Sequence, residues 1–533
     1  MTHPAVHWPT LSPETHFQRS VRCFPQRPRS LHALLDNAVA LYPQGTALVC
    51  NDTRLTYLAL NEQVGRLAAG WHALGLNAGD RVALLLSNRI EFVLCLLAAT
   101  RLGAITVPLS VREQTPGLHY MLDHCGARLL VHDAELHAVL PEKNSLPVLQ
   151  WRVSFDGCAD ALDFDSLLAD GPLTHAVPVN EEDTVVILYT SGTTGRPKGA
   201  MLSHLGVVHS CMHFQVGMGL GPDDCSIAAV PLSHVTGLVA LVTTMLHAAG
   251  KLVILPTFKA PLFLDLAVRE RMTHSLMVPA MYNLCLLQDS FATLDLSAWR
   301  VGAYGGAPMP VASIEALANK LPQLVLMNCY GATETTSPAT MMPPGETATH
   351  NDTVGVPVPC AEMKVVDDDG LALPAGQMGE IWIKGPMVVA GYWHNPEATA
   401  KEFVDGFWKS GDMGSIDGEG YVRILDRKKD MLNRGGYKIY CIEVENVLYE
   451  HPAVAECAIV AKPCPVLGER VHAFIGLRHA VQADELTAFC SRRLSREKVP
   501  ESFTLSDTPL PRNANGKLMK REMRETLLNS LTT

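Results

Sequence analysis

The sequence predicts a large α/β N-terminal domain, with parallel sheets covered by helices and a β-rich subdomain, followed by a small α+β C-terminal domain. Three features predict it. Short apolar runs alternate with helical segments from "DRVALLL" to "LVLMNCYG". Near residue 350 the texture changes, and "AEMKVVDDDGLALPAGQMGEIWIKG" reads as strands joined by Asp/Gly and Pro/Gly turns. After "GYVRILDRKKD" comes a tail of about 100 residues, an ordinary domain size, with helices and strands of its own.

Taken in order, "LHALLDNAVALY" places apolar residues at helical spacing, and "YLALNEQVGRLAAGWHALG" repeats the pattern and stops at a glycine. "DRVALLL" is a short buried strand. Asn88, with Glu91 following it, forms a predicted capping box for the helix "EFVLCLLAATRLG", and "AITVPL" is the next strand. Strand, helix and strand in this order imply a parallel sheet. "ARLLVHD", "TVVILYT", "KLVILP" and "LVLMNCYG" continue the alternation. "VTGLVALVTTML" is too short to cross a bilayer and reads as a buried helix. In the tail, "IEVENVLYEH" and "ADELTAFCSRRL" are helices, and "VAECAIVA" and "VHAFIGL" are strands. The charged "DRKKD" is a candidate linker.

Composition narrows the function classes. The 533 residues suffice for three or four packed units, and 47% hydrophobic with 18% charged residues suits a soluble globular enzyme. A net charge of −11 argues against a nucleic-acid surface. The N-terminus lacks the basic and apolar regions of a signal peptide, and no transmembrane segment is evident. The 14 cysteines form no CxxC pair, which predicts reduced thiols in a cytoplasmic protein. The 21 histidines show no metal-ligand spacing.

One loop points to chemistry. "YTSGTTGRPKG", Tyr189 to Gly199, follows a buried strand, where ligand loops sit in parallel sheets. It is not a P-loop: counted from Gly192, the second glycine position falls on Pro197. Its glycines still let backbone N–H groups approach an anion, its hydroxyls add donors, and Lys198 offers a compensating charge.

The full string resembles the phosphate-loop signature of the adenylate-forming superfamily, which includes acyl-CoA synthetases. Further strings resemble the family's signatures in family order: "GGAP" (Gly305 to Pro308), "YGATE" (Tyr330 to Glu334), "SGD" (Ser410 to Asp412), "DRKKD", "RGGYKIYCIEVE" and "PRNANGK". The resemblance spans nearly the whole chain. It implies an N-terminal domain over 1–426, a hinge at 427–430 pivoting on Lys429, and a mobile C-terminal domain over 431–533. It implies ATP contacts by Thr190, Ser191, Gly192, Thr193, Thr194, Gly195 and Lys198, with Thr193 and Lys517 serving catalysis. Glu334 would hold Mg²⁺ and also serve catalysis. Gly306, Ala307, Pro308, Tyr330, Gly331 and Thr333 would line the nucleotide. Asp412 would grip the ribose, and Arg427 the ribose or a phosphate.

The implied reaction has two steps. A carboxylic acid and ATP give an acyl-adenylate and pyrophosphate, and coenzyme A then displaces AMP. His234, Gly305, Gly331, Ala332, Gly435, Gly436, Tyr437 and Lys438 would line the acyl and coenzyme A channel. Acetyl-specific relatives carry Trp at the position of Gly331. Glycine there implies room for a medium- or long-chain fatty acid or an aromatic acid, in a looser resemblance to fatty-acyl-CoA synthetases and 4-coumarate–CoA ligases. The alternative is an acyl-AMP ligase that loads a carrier protein. The sequence leaves the oligomeric state open between monomer and homodimer.

Overall fold

The computed structural model describes residues 6–155, 157–158, 160–190, 196–307, 309–428, 430–435, 437–512 and 518–532. The chain divides into two compact units, one of Met1–Met363 with Ile383–Trp408, the other of Lys364–Trp382 with Lys409–Thr533.

The first unit is built on two large sheets. The seven-stranded one runs Lys198–Ser203, Thr184–Thr190, Ile105–Pro108, Arg81–Leu85, Ala127–His132, Trp151–Ser154 and Leu162–Asp163. All its pairings are parallel except the edge hairpin of Thr184–Thr190 with Lys198–Ser203. The nine-stranded sheet has a parallel centre that includes His274–Met277, Val301–Tyr304 and Val325–Tyr330. The helix Ile90–Arg101 packs on strands of both sheets, which is why its sequence is apolar on every side and all of it but Glu91 is buried. "VTGLVALVTTML" is a buried helix, as its composition implies, though Thr236–Thr243 is π-helical before an α-helix over Thr244–Ala248.

Asn88 departs from the expected capping box. The helix starts after Arg89, and Asn88 instead joins two strand ends. Its Nδ2 donates to the carbonyls of Val230 and Leu255, and its Oδ1 accepts from the N–H of Leu232. Buried backbone groups past a strand end must find partners, and an amide side chain supplies donor and acceptor together.

A hairpin of Ser12–His16 and Arg19–Cys23 precedes the first helix. The buried Arg27 guanidinium pairs with Glu14 and, through Nε at 2.7 Å, with Glu181. The Arg27 bond holds the Glu14 carboxyl down at about 2.

Buried neutral histidines tie elements of this unit together. His209 donates from Nδ1 to the Leu205 carbonyl and accepts the Phe24 N–H at Nε2. His204 accepts the Leu31 N–H at Nδ1, and His274 lies 3.0 Å from the Ser226 hydroxyl. Burial lowers all three to about 4. The unfolded chain therefore takes up protons first as pH falls, so stability is full above about 6.5 and drains toward 4. Each histidine removes about 2 kcal/mol by pH 5. Urea unfolding should show the stability of this unit falling by several kcal/mol between pH 7 and 5. A flat profile over that interval would contradict the neutral, hydrogen-bonded assignment.

In the second unit, residues 412–416 pair antiparallel with Val422–Arg427, and Asp412 faces Arg427. Its C-terminal sheet runs Tyr437–Ile439, Leu432–Arg434, Gly468–Leu477 and Val454–Cys464, with Ser502–Ser506 parallel to Gly468–Leu477. Alternation along Val454–Cys464 buries both faces. Cys457, Ile459 and Ala461 join a core with the helices Cys441–Tyr449 and Ala483–Ser491, while Ala458 and Val460 pack with Met523 and Leu527 of Lys520–Thr532.

All 14 cysteines are free and only Cys158 is not buried. Burial pushes the thiols of Cys23, Cys125, Cys211, Cys225 and Cys285 up to about 12. Among the described residues, no helix is long and apolar enough to cross a membrane.

Candidate active site

In the first unit, functional side chains gather at the carboxyl ends of strands from both sheets. Thr190 ends one strand and Lys198 opens the next, and the two residues face each other in antiparallel register. Ser191, Gly192, Thr193, Thr194 and Gly195, between them, lie outside the described residues. The helix Thr115–Cys125 fastens both ends of this connection. Tyr120 donates to the Pro197 carbonyl at 3.1 Å, and the Tyr189 hydroxyl lies 2.8 Å from His124 Nδ1.

Glu334 sits in a single 3₁₀ turn, Thr333–Thr335, just past the strand Val325–Tyr330. It is buried, and its Oε1 accepts from Thr190 Oγ1 at 3.4 Å and lies 3.0 Å from the Tyr392 hydroxyl. That hydroxyl is also 2.6 Å from Glu402 Oε2, and Lys198 Nζ is 2.5 Å from Glu402 Oε1. A phenol has one proton, so it cannot serve two carboxylates at once. Burial and the two carboxylates push the Tyr392 phenol up, so the proton stays on it. One carboxylate lone pair therefore lacks a proton, and hard oxygens of this kind fit a small divalent cation such as Mg²⁺.

Two glycines of the strings have close neighbours, and for Gly305 the neighbour is backbone. A Cβ on Gly305 would lie 2.3 Å from the Cys329 carbonyl oxygen on the neighbouring strand. On Gly331 it would meet Ser337 Oγ at 3.1 Å and Thr335 Oγ1 at 3.2 Å. Gly306 has φ +76°, a left-handed conformation suited to glycine, and is followed by Ala307. Pro308 lies outside the described residues. Ala332 leads into the 3₁₀ turn, its N–H donating to Thr335 Oγ1. His234 is half-buried beside the start of the π-helix, its Nδ1 3.3 Å from Thr236 Oγ1.

In the second unit, Asp412 is buried and its Oδ1 lies 2.7 Å from Arg427 Nε, while Arg427 Nη1 donates to the Ser410 carbonyl. Gly435 has φ +59° at the turn between Leu432–Arg434 and Tyr437–Ile439, and its N–H donates to the Leu467 carbonyl. Tyr437 and Lys438 are exposed on the second of these strands. Lys429, Gly436 and Lys517 lie outside the described residues.

The structure thus joins Thr190, Lys198 and Glu334 in one hydrogen-bonded group, and Asp412 with Arg427 in another. Sequence reading missed Tyr392 and Glu402. The available signal was "GYWHNPEATAKE", in which Asn395 caps the helix Pro396–Glu402 and carries Glu402 to its last position.

Residues 35–393 match the AMP-binding enzyme family, and 443–517 match the AMP-binding enzyme C-terminal domain. The chain belongs to this family. It is 36% identical over 489 residues to a feruloyl-CoA synthase of Amycolatopsis sp, covering 90% of this chain and 96% of that one. It is 32% identical to the medium-chain fatty-acid–CoA ligase of Escherichia coli (strain K12), covering 98% of this chain and 92% of that one. The anthranilate CoA ligase AuaEII, solved with anthranoyl-AMP, superposes with a TM-score of 0.88 at 26% identity, covering 94% and 98% of the two chains. The protein is an AMP-forming acid–CoA ligase that uses ATP, Mg²⁺ and coenzyme A, through an acyl-adenylate.

Proposed function

We propose that this enzyme activates an aromatic or a medium- to long-chain aliphatic acid, with aromatic acids the better substrates. The feruloyl-CoA synthase and the anthranilate ligase both favour the aromatic side. The observation that carries the site assignment is the buried Glu334 carboxylate bonded to Thr190 beside the loop.

The physical obstacle in the first step is bringing an anion onto a polyanion. Two unit charges at 4 Å repel by about 4 kcal/mol at an effective dielectric near 20. We assign the loop Ser191–Gly195 with Thr190 to the phosphates, and Glu334 to Mg²⁺. Mg²⁺ supplies charge neutralisation when bound. Lys517, with Thr193, meets the charge that builds at phosphorus. Gly306, Ala307, Pro308, Tyr330, Gly331 and Thr333 border the nucleotide. Asp412 accepts from the ribose hydroxyls, held in place by Arg427. His234, Gly305, Gly331 and Ala332 border the acyl group. In the second step, Gly435, Gly436, Tyr437 and Lys438 border the incoming thiol, after residues 431–533 turn about Lys429. A cytoplasmic setting fits the buried, reduced thiols.

The test is a panel of acids with ATP, Mg²⁺ and either coenzyme A or a phosphopantetheinylated carrier protein, read by thioester mass. Ferulate or anthranilate should give the highest kcat/KM, octanoate and palmitate lower values, and acetate the lowest. Preference for acetate would overturn the substrate reading. Thioester on the carrier alone would favour the carrier-loading alternative.

A further inference from the structure

We infer that Lys198 acts on the nucleotide site through Glu402 and Tyr392, as the anchor of an arm that positions Glu334. This rests on the assignment of Glu334 to Mg²⁺ and adds the residues that set its geometry.

The direction of the Lys198 ammonium carries the argument. Lys198 is buried, its Nζ lies 2.5 Å from Glu402 Oε1, and it sits over the Tyr392 ring at 4.3 Å from the centroid. Its charge is compensated inside the protein. The chain from Gly391 to Trp393 is laid as an extra strand against the loop's second strand. Met201 N–H donates to the Gly391 carbonyl, Trp393 N–H to the Gly199 carbonyl, and Ala200 bridges Tyr392. The Tyr392 N–H also donates to Thr399 Oγ1, one turn before Glu402. Lys198, Tyr392 and Glu402 are therefore fixed to one another by backbone as well as side chain. The arm ends on Glu334 Oε1, 3.0 Å from the Tyr392 hydroxyl, while the Val389 N–H holds the Glu334 carbonyl.

The single phenol proton couples the two carboxylates. The phenol donates across the shorter contact, 2.6 Å to Glu402 Oε2, while Lys198 Nζ fixes the other Glu402 oxygen at 2.5 Å. The phenol oxygen then faces Glu334 Oε1 with a lone pair, and a cation beside that carboxylate removes the repulsion. Lys198 thus favours a cation at Glu334 without touching phosphate.

The test is calorimetric binding of ATP to the full-length protein across a range of Mg²⁺ concentrations. The variants are Lys198→Met, Glu402→Gln, Tyr392→Phe and the double variant Lys198→Met/Glu402→Gln. Outer partners of a metal ligand typically contribute about 10–100-fold in affinity. Each single variant should weaken binding by about tenfold or more, the double should be no worse than Lys198→Met, and added Mg²⁺ should restore affinity. Tyr392→Phe keeps the ring and removes only the hydroxyl, so it remains informative if Lys198→Met fails to fold. The inference is overturned if Lys198→Met alone loses affinity while Glu402→Gln and Tyr392→Phe bind normally, if the double loses the product of the single effects, or if Mg²⁺ rescues nothing. A Glu334→Gln variant that binds MgATP normally would instead overturn the Mg²⁺ assignment itself.

Discussion

Glu334→Gln should slow acyl-adenylate formation by about 10²–10³-fold, the scale of losing one preorganised electrostatic contact. Glutamine keeps the size of the side chain and one oxygen for the Thr190 hydroxyl. It loses the charge that a hard cation requires. It also turns an acceptor into a possible donor beside Tyr392, whose hydroxyl is already 2.6 Å from Glu402. The measurement is pyrophosphate release with the best acid of the panel, alongside thermal melting to confirm the fold. Near-normal release from a folded variant would remove Glu334 from the metal site.

Lys517→Ala should separate the half-reactions. Negative charge gathers at phosphorus during adenylation, and a lysine that meets it there has no comparable task once AMP is leaving. Acyl-adenylate formation should drop by about 10²–10³-fold, while supplied acyl-adenylate and coenzyme A should still give thioester. Pyrophosphate release follows the first step and thioester mass the second. Equal slowing of both would mean that Lys517 serves the two steps alike, and the proposed turn about Lys429 would lose its main support.

What the sequence revealed was whatever is encoded locally. "TVVILYT" and "LVLMNCYG" read as buried strands because they are apolar throughout, and they are the strands Thr184–Thr190 and Val325–Tyr330. Partner choice is not local. Thr46–Cys50 pairs with Lys251–Ile254, far along the chain, so the division into two sheets had no signature within either run. The hairpin Ser12–His16 is polar and depends on Arg27, which also reaches Glu181. Asn88 looked like a cap because capping spacing is common, whereas its bonds to residues at 230, 232 and 255 depend on folding. The site followed the same division. Glu334 and Lys198 were visible inside strings, but Tyr392 and Glu402 matter through contacts with distant residues.

The burial of the cysteines has a consequence for an enzyme of this chemistry. An acyl-adenylate is a mixed anhydride, able to acylate whatever nucleophile it meets. The dangerous nucleophile in a protein is a thiolate, both ionised and reachable. Here all but one of the 14 cysteines are buried, and the thiols of Cys23, Cys125, Cys211, Cys225 and Cys285 stand near 12. Cys464 differs, since backbone N–H groups and Arg470 lower its thiol, and its sulfur already accepts from Arg470 Nε at 3.2 Å. The fold thereby keeps most of its own thiols from the activated acyl group, which is left to a thiol delivered from solution.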